Sequence, residues 1–267
     1  MKHAWLGLAL VGAAAAAGAQ DLVITNARIL DASTDIARGS IVIEDGRIVS
    51  VAAGAATAGG RPTLDAGGRT ALPGYIDAHR HIISGNADEW FREQSAARMQ
   101  EFLDAGFTTL MSGGGPMPGI MELKRRIDSG ELKGPRVITS GRADPASFKT
   151  AAEARAHVRT LAAAGVEIVK ASVTPAEKEM LAAIVDEARK HDLDVMVHAV
   201  TAPAMIAAVE AGAAKLVHTP HDSFLTNEQA KLVAEAGIEN LSTVGFAAPV
   251  FNVFNQDNVP TFRDGSP

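Results

Sequence analysis

Cysteine is absent from this 267-residue chain. That excludes disulfides, thiolate metal ligands and a cysteine nucleophile, so any metal has to be held by histidine, carboxylate or a less usual donor. Aromatic residues make up only 4% of the sequence. Positive charge is also short: 25 Lys and Arg against 31 Asp and Glu give a formal net charge of −6. With no basic patch to offset it, that balance argues against a nucleic-acid surface. No G-x-G-x-x-G follows an early strand, which counts against a dinucleotide-binding sheet.

A long apolar run is missing too. Ala4–Ala17 follows a short basic start, Met1-Lys2-His3, and falls short of the roughly 20 residues that a spanning helix needs. Ala17-Gly18-Ala19 fits an A-x-A cleavage signature, so residues 1–19 read as a signal peptide. The mature chain is expected to begin near Gln20, to be exported, most simply to a bacterial periplasm, and to carry no stable membrane anchor.

What is present begins with a small β unit at residues 20–71. Leu22-Val23-Ile24, Ile41-Val42-Ile43 and Ile48-Val49-Ser50-Val51 are short β-branched runs, and Asp45-Gly46 between the last two predicts a hairpin. None of these residues carries chemistry.

From Leu72 the pattern becomes helix, glycine, apolar strand, repeated. Strands are expected at Leu72–His81, Phe107–Met111, Arg136–Thr139, Val166–Lys170, Val195–Ala199, Ala214–His218 and Ile238–Val244. Helices are expected at Glu89–Ala105, Ala151–Ala164, Pro175–His191, Ala204–Ala211 and Asn227–Ala236. Such alternation predicts an α/β chain, a (β/α)8 TIM barrel with about seven strands present, over residues 72–267.

Barrel chemistry is built at the C-terminal ends of the strands. The first strand delivers His79 and His81, two residues apart and therefore on one face. Lys170 interrupts the apolar run VEIVKAS, His198 interrupts VMVHA, and His218 interrupts KLVHT. A buried lysine is costly unless paired or altered, and a single core histidine is unremarkable. Four histidines and a lysine at successive strand ends point to a shared site.

PGYIDAHRH, then VEIVK, VMVHA and KLVH, together with the opening DLVITNARILD and the IEDGRIVSV hairpin, resemble the amidohydrolase superfamily of metal-dependent hydrolases, in its prolidase-like and imidazolonepropionase-related branch. The resemblance implies a small β-sandwich-like domain beside the barrel. It implies that His79 and His81 hold the more buried metal and His198 and His218 the more exposed one. Lys170, carboxylated by CO2, would bridge the two as a carbamate. Two zinc ions suit such donors, or one if Lys170 stays unmodified. A metal-activated hydroxide would then hydrolyse the C–N bond of a small amide or dipeptide-like substrate. A cyclic amidase or lactonase using the same metals, or an inactive remnant, are the alternatives. The oligomeric state stays open.

The chain also departs from the pattern. The family's aspartate at the end of the eighth strand has no counterpart, because Asp257 and Asp264 follow no apolar strand. The sequence therefore reads as truncated, and the chain alone is expected to be unstable or inactive. Where members often carry Arg-Asp after the second strand, this chain has Gly113-Gly114-Gly115, which suits a loop passing close to substrate and a plain flexible loop equally. His221 is a weak candidate for substrate contact, being more simply a loop histidine. Arg80 is expected to turn away from the two histidines into a salt bridge. His157 and His191 are expected on helix surfaces.

Overall fold

The computed structural model describes residues 21–220 and 222–243, which divide into two compact units between Pro73 and Gly74. The cleavage signature, His221, Asp257, Asp264 and the end of the seventh strand lie outside the described residues. Among the described residues, no helix is long and apolar enough to cross a membrane.

The first unit is one sheet. Strands β1 (Leu22–Leu30), β2 (Asp35–Glu44) and β3 (Arg47–Ala53) form an antiparallel meander, and β4 (Thr63–Asp65) and β5 (Thr70–Ala71) pair parallel to the far side of β1. Asp45 and Gly46 both adopt positive φ, 48° and 71°, matching the right-handed twist of the β2–β3 hairpin. Ala27, Ile29 and Ile41 form its small buried core, while β3 is exposed along its whole length.

In the second unit every strand is parallel. Strands β6 (Tyr75–Arg80), β7 (Phe107–Ser112) and β8 (Arg136–Ile138) form one sheet. The other runs in chain order through β9 (Ser140–Arg142), β10 (Ile168–Ser172), β11 (Asp194–His198), β12 (Lys215–Val217) and β13 (Glu239–Leu241). β8 and β9 are two halves of one strand, broken at Thr139. The first half pairs with β7 and the second with β10. At the break, the Thr139 amide turns to the Glu167 carboxylate at 2.8 Å, while its carbonyl accepts from the Glu167 and Ile168 amides. Seven parallel strands therefore follow one another around a TIM-barrel frame, with no ladder joining β13 to β6 among the described residues.

The intervening helices are α1 (Ala87–Glu93), α2 (Ser95–Asp104), α3 (Gly119–Asp128), α4 (Ala151–Ala163), α5 (Lys178–Arg189), α6 (Ala202–Glu210) and α7 (Asn227–Ala236). Side-chain caps start several of them: Thr150, Thr201 and Thr226 accept from the amides of Glu153, Ala204 and Gln229. The helices cover one face of the sheets, where Val169, Ala171, Val195, Val197 and Leu216 pack against α4, α5 and α6. On the opposite face the side chains fall into layers. Lys215, paired with Asp194 at 3.2 Å and Glu239 at 2.7 Å, sits near the strand N-termini. Ile168, Met196 and Val217 form an apolar layer above it, with Met111, Ile138 and Leu241 packed on them. The layer nearest the strand C-termini is polar and holds Arg142, Lys170 and His198.

Three expectations need correcting. The single helix at Glu89–Ala105 is two helices that meet at Gln94, where Ser95 Oγ donates to the Phe91 carbonyl at 2.8 Å. The fourth strand is Ile168–Ser172, not Val166–Lys170, because the Val166 amide still bonds the end of α4 through Leu161. Lys170 is therefore mid-strand. Helix α3 was not expected at all.

Candidate metal centre

β6 presents His79 from within the strand and His81 one residue past its end. Alternation puts both on one face, and their rings meet edge to face with centroids 5.2 Å apart. His218 follows β12 directly, and its ring lies 5.2 Å from that of His79. His198, the last residue of β11, lies 4.6 Å from His218. The four predicted imidazoles thus form a continuous chain, His81–His79–His218–His198. Lys170 is the buried member of the set, only 1% exposed. Its positive charge is felt at His79, His81 and His198.

The electrostatics follow chiefly from burial. Desolvation, then Lys170 and the neighbouring imidazoles, holds His79 down to about 3. His81 and His198 are lowered by the same two causes, burial first. Burial also brings the Lys170 ammonium down to about 8, with Arg142 pushing the same way and Asp144 opposing it. Three histidines are therefore neutral at pH 7, the form that offers a lone pair to a metal. His218 stands in a strained backbone, with φ of 78°, its amide bonded to the Leu241 carbonyl at 2.8 Å and its Nδ1 to Thr243 Oγ1 at 2.6 Å.

Two buried polar atoms here lack a hydrogen-bond partner among the described residues: His79 Nδ1 and Lys170 Nζ. Such orphans are rare in a folded interior and call for a missing partner. The wall behind them is made of backbone. A Cβ placed on Gly113 would lie 2.6 Å from His79 Cε1, and Gly114, at φ of 106°, faces Lys170 Cγ. The glycine loop thus packs directly against the centre.

Do these residues fit a metal? Among the described residues no ready-made group of three His, Cys, Asp or Glu donors is found, since the rings contact one another edge to face. Their spacing nonetheless suits one. Two imidazoles bound to a tetrahedral zinc at about 2.0–2.1 Å place their centroids roughly 5 Å apart. The neutral imidazoles are the donor type a divalent cation takes, while the described residues as placed form no ready-made site.

The structure corrects the reading of some neighbours. Arg80 does turn away from the histidines, but onto the Phe102 ring at 5.0 Å instead of into a salt bridge. His157 is half-buried, its Nε2 bonded to the Arg142 carbonyl at 2.8 Å. His191 is near the surface, 3.8 Å from Glu187. Sequence reasoning passed over Arg142 and Asp144, which form a two-pronged ion pair beside Lys170. The R-x-D at the end of an apolar strand was the available signal.

Residues 70–241 match the Amidohydrolase family, and residues 4–68 match the N-terminal domain of the urease alpha-subunit. Among curated proteins, the imidazolonepropionase of Mycolicibacterium smegmatis is 38% identical over 80 residues, 29% of this chain and 19% of that protein. The L-hydantoinase of Paenarthrobacter aurescens is 33% identical over 63 residues, 24% of this chain and 14% of that protein. A Xaa-Pro dipeptidase with bound methionine in its active site superposes with a TM-score of 0.69 at 23% identity, covering 90% of this chain and 71% of that one. The ochratoxinase of A. niger gives 0.66 at 19% identity, covering 90% and 68%. The alignments to the two curated relatives therefore span less than a fifth of their length, and the likeness to solved structures concerns the fold.

Proposed function

Because the chain belongs to the amidohydrolase family, we propose that it is a metal-dependent hydrolase of C–N bonds in a small amide or dipeptide-like substrate. The observation that carries this reading is the buried Lys170 amine, without a partner among the described residues, set among imidazoles that burial keeps neutral.

His79, His81, His198 and His218 would hold two divalent ions, most simply zinc, with Lys170 between them. The ions, when bound, supply Lewis acidity and activate water. Lys170 is suited to accept CO2. Its lowered affinity for protons leaves a usable share of neutral amine near pH 7. The nitrogen lone pair attacks the carbon of CO2, an N–C bond forms, and the displaced N–H proton leaves to solvent. The product is an anion where a cation was costly. Thr243 Oγ1 orients the His218 ring, and the Leu241 carbonyl holds its backbone amide. The side-chain-free backbone of Gly113 and Gly114 packs against His79 and Lys170. Ile168, Met196 and Val217 form the apolar layer beneath these residues.

A cyclic amide is the second reading, favoured by the hydantoinase and imidazolonepropionase among the relatives. The basic start and apolar run before Gln20 support an exported, periplasmic chain, which cell fractionation would test.

The decisive experiment loads the full chain with zinc in bicarbonate buffer, counts metal by plasma mass spectrometry and follows the carbamate with 13C-labelled bicarbonate. About two ions per chain, a carbamate signal, and chelator-sensitive cleavage of N-acyl amino acids, Xaa-Pro dipeptides or a hydantoin are expected. A metal-loaded chain that turns over none of these, nor a lactone, would sink the hydrolase reading.

A further inference from the structure

We propose that β3 is the interface of a symmetric dimer, pairing antiparallel with β3 of a second copy of this chain about a two-fold axis at Val51. The proposal concerns the first unit alone and stands apart from the hydrolase reading.

β3 pairs with β2 alone among the described residues, and every one of its residues is exposed. Its free side is a row of backbone donors and acceptors. The Gly54 amide bonds the Arg38 carbonyl at 3.0 Å, so that amide points towards β2. Alternation then turns the amides and carbonyls of Ala53 and Val51 away from β2. The β2–β3 ladder slips between Val42 and Ile43, which leaves Val49 as the extra residue of β3. Val51 lies on the regular side of that bulge. Edge strands are commonly guarded by lysine, proline or an inward charge. Here the strand reads Arg-Ile-Val-Ser-Val-Ala-Ala, and its single charge, Arg47, stands at the first position.

Register and charge both favour a second copy as the partner. Leu64, Ile24, Ile41 and Val51 are neighbours in one row across β4, β1, β2 and β3, on one face of the sheet. Part of that face is covered, since a Cβ on Gly39 would lie 2.8 Å from Ile29 Cδ1 and 3.0 Å from Ile36 Cγ2. The row itself is open at both ends, with Val51 43% and Leu64 53% exposed. An axis at Val51 sets that residue opposite itself, exchanging both hydrogen bonds, and sets Val49 opposite Ala53. The apolar row then runs unbroken into the same row of the second copy, as cross-strand pairing of β-branched residues favours. Antiparallel pairing also keeps the two Arg47 side chains at opposite ends, where parallel pairing would set them side by side. Residues 21–73 carry five arginines against six acids, so two such units meet with almost no net repulsion. One strand per copy falls below the roughly 1,200 Å² at which standard interfaces begin, so the dimer is weak, with a micromolar dissociation constant.

The chain has no cysteine, so one introduced thiol reports its own neighbour. Full chains carrying Val51→Cys or Arg47→Cys are oxidised with diamide and resolved on non-reducing gels. Residues opposed in a hydrogen-bonded pair have Cα atoms about 5.5 Å apart, a separation that a disulfide spans. Val51→Cys is therefore expected to form a covalent dimer about tenfold or more faster than Arg47→Cys, whose counterpart lies at the far end. Sedimentation velocity across about 1–100 μM should show wild type passing from monomer to dimer. Val51→Lys sets two ammonium groups opposite each other and should weaken the dimer about tenfold or more, with circular dichroism unchanged. Mixing Val51→Lys with Val51→Glu should restore it as a mixed dimer. A wild type that stays monomeric throughout, or a dimer indifferent to Val51→Lys, would overturn the interface. So would cross-linking at Arg47 as fast as at Val51. Should Val51→Lys lose its fold, the rate ratio of the two cysteine variants decides alone.

Discussion

β6 and β10 bring the most buried imidazole and the buried lysine to the same centre, yet they are held in opposite ways. β10 lies between β9 and β11, and four of its five residues are buried. β6 pairs with β7 alone among the described residues, through a ladder interrupted twice, and leaves Tyr75 and Ile76 52% and 65% exposed. A strand with two neighbours fixes its side chains by packing. A strand with one neighbour needs another device, and here it is the glycine loop. The Gly113 amide donates to the Arg80 carbonyl at 2.8 Å, while its missing side chain leaves room for His79. Precision at a shared site can therefore come from side chains on one flank and bare backbone on the other.

The contrast can be broken first on the β10 side. Lys170→Met is expected to reduce metal-dependent hydrolysis by about 10³-fold or more. It should also stabilise the metal-free chain by about 1–3 kcal/mol, since an uncompensated buried ammonium is removed without opening a cavity. Chemical denaturation with and without zinc checks both halves. On the β6 side, Gly113→Ala forces a methyl into the His79 ring, so metal affinity should fall about 10- to 100-fold and stability by about 1–2 kcal/mol. A titration with a zinc-responsive dye reads the first. Unchanged affinity would refute the bare-backbone account.

The two strands should also answer differently to pH. His79 titrates at about 3 when folded against 6.5 when unfolded, so the unfolded chain binds more protons in between. Stability contributed by a neutral His79 is complete above pH 6.5 and is lost as pH falls towards 3. Lys170 titrates at about 8 against 10.5, so the metal-free chain gains stability as pH rises from 8 to 10.5. His79→Gln should flatten the acid limb of the stability profile, while Lys170→Met should remove the alkaline limb and, by taking away a charge that lowers His79, also reduce the acid one. The smallest effect belongs to Arg80→Leu. Losing its contact with Phe102 should cost about 0.5–1 kcal/mol and leave zinc affinity alone, because that side chain points away from the centre.

The ligand-type residues were legible because each breaks a local rule. A histidine or lysine inside a β-branched run has no local explanation, and period-two alternation joins His79 to His81 without knowledge of the fold. What escaped was set by distant partners. The break at Thr139 depends on a carboxylate 28 residues away. The split at Gln94 has no glycine or proline to announce it. Helix α3 opens after Gly-Gly-Gly-Pro-Met-Pro and so reads as loop, although Glu122 with Arg125 and Arg126 shows helical spacing and pairs with both. Arg142 and Asp144 were passed over because a charged pair at a strand end looks like ordinary solvated surface. Only the register with Lys170 gives it a place at the site.

The bare wall at Gly113 and Gly114 also bears on how such a centre can change over generations. A pocket lined by side chains is tuned one substitution at a time. A surface made of main chain offers nothing to exchange, and any replacement there adds atoms where His79 and Lys170 already stand. In this chain, changes in what the site accepts would therefore have to come from residues other than Gly113 and Gly114. The rear of the site sets the positions of His79 and Lys170 through main chain alone.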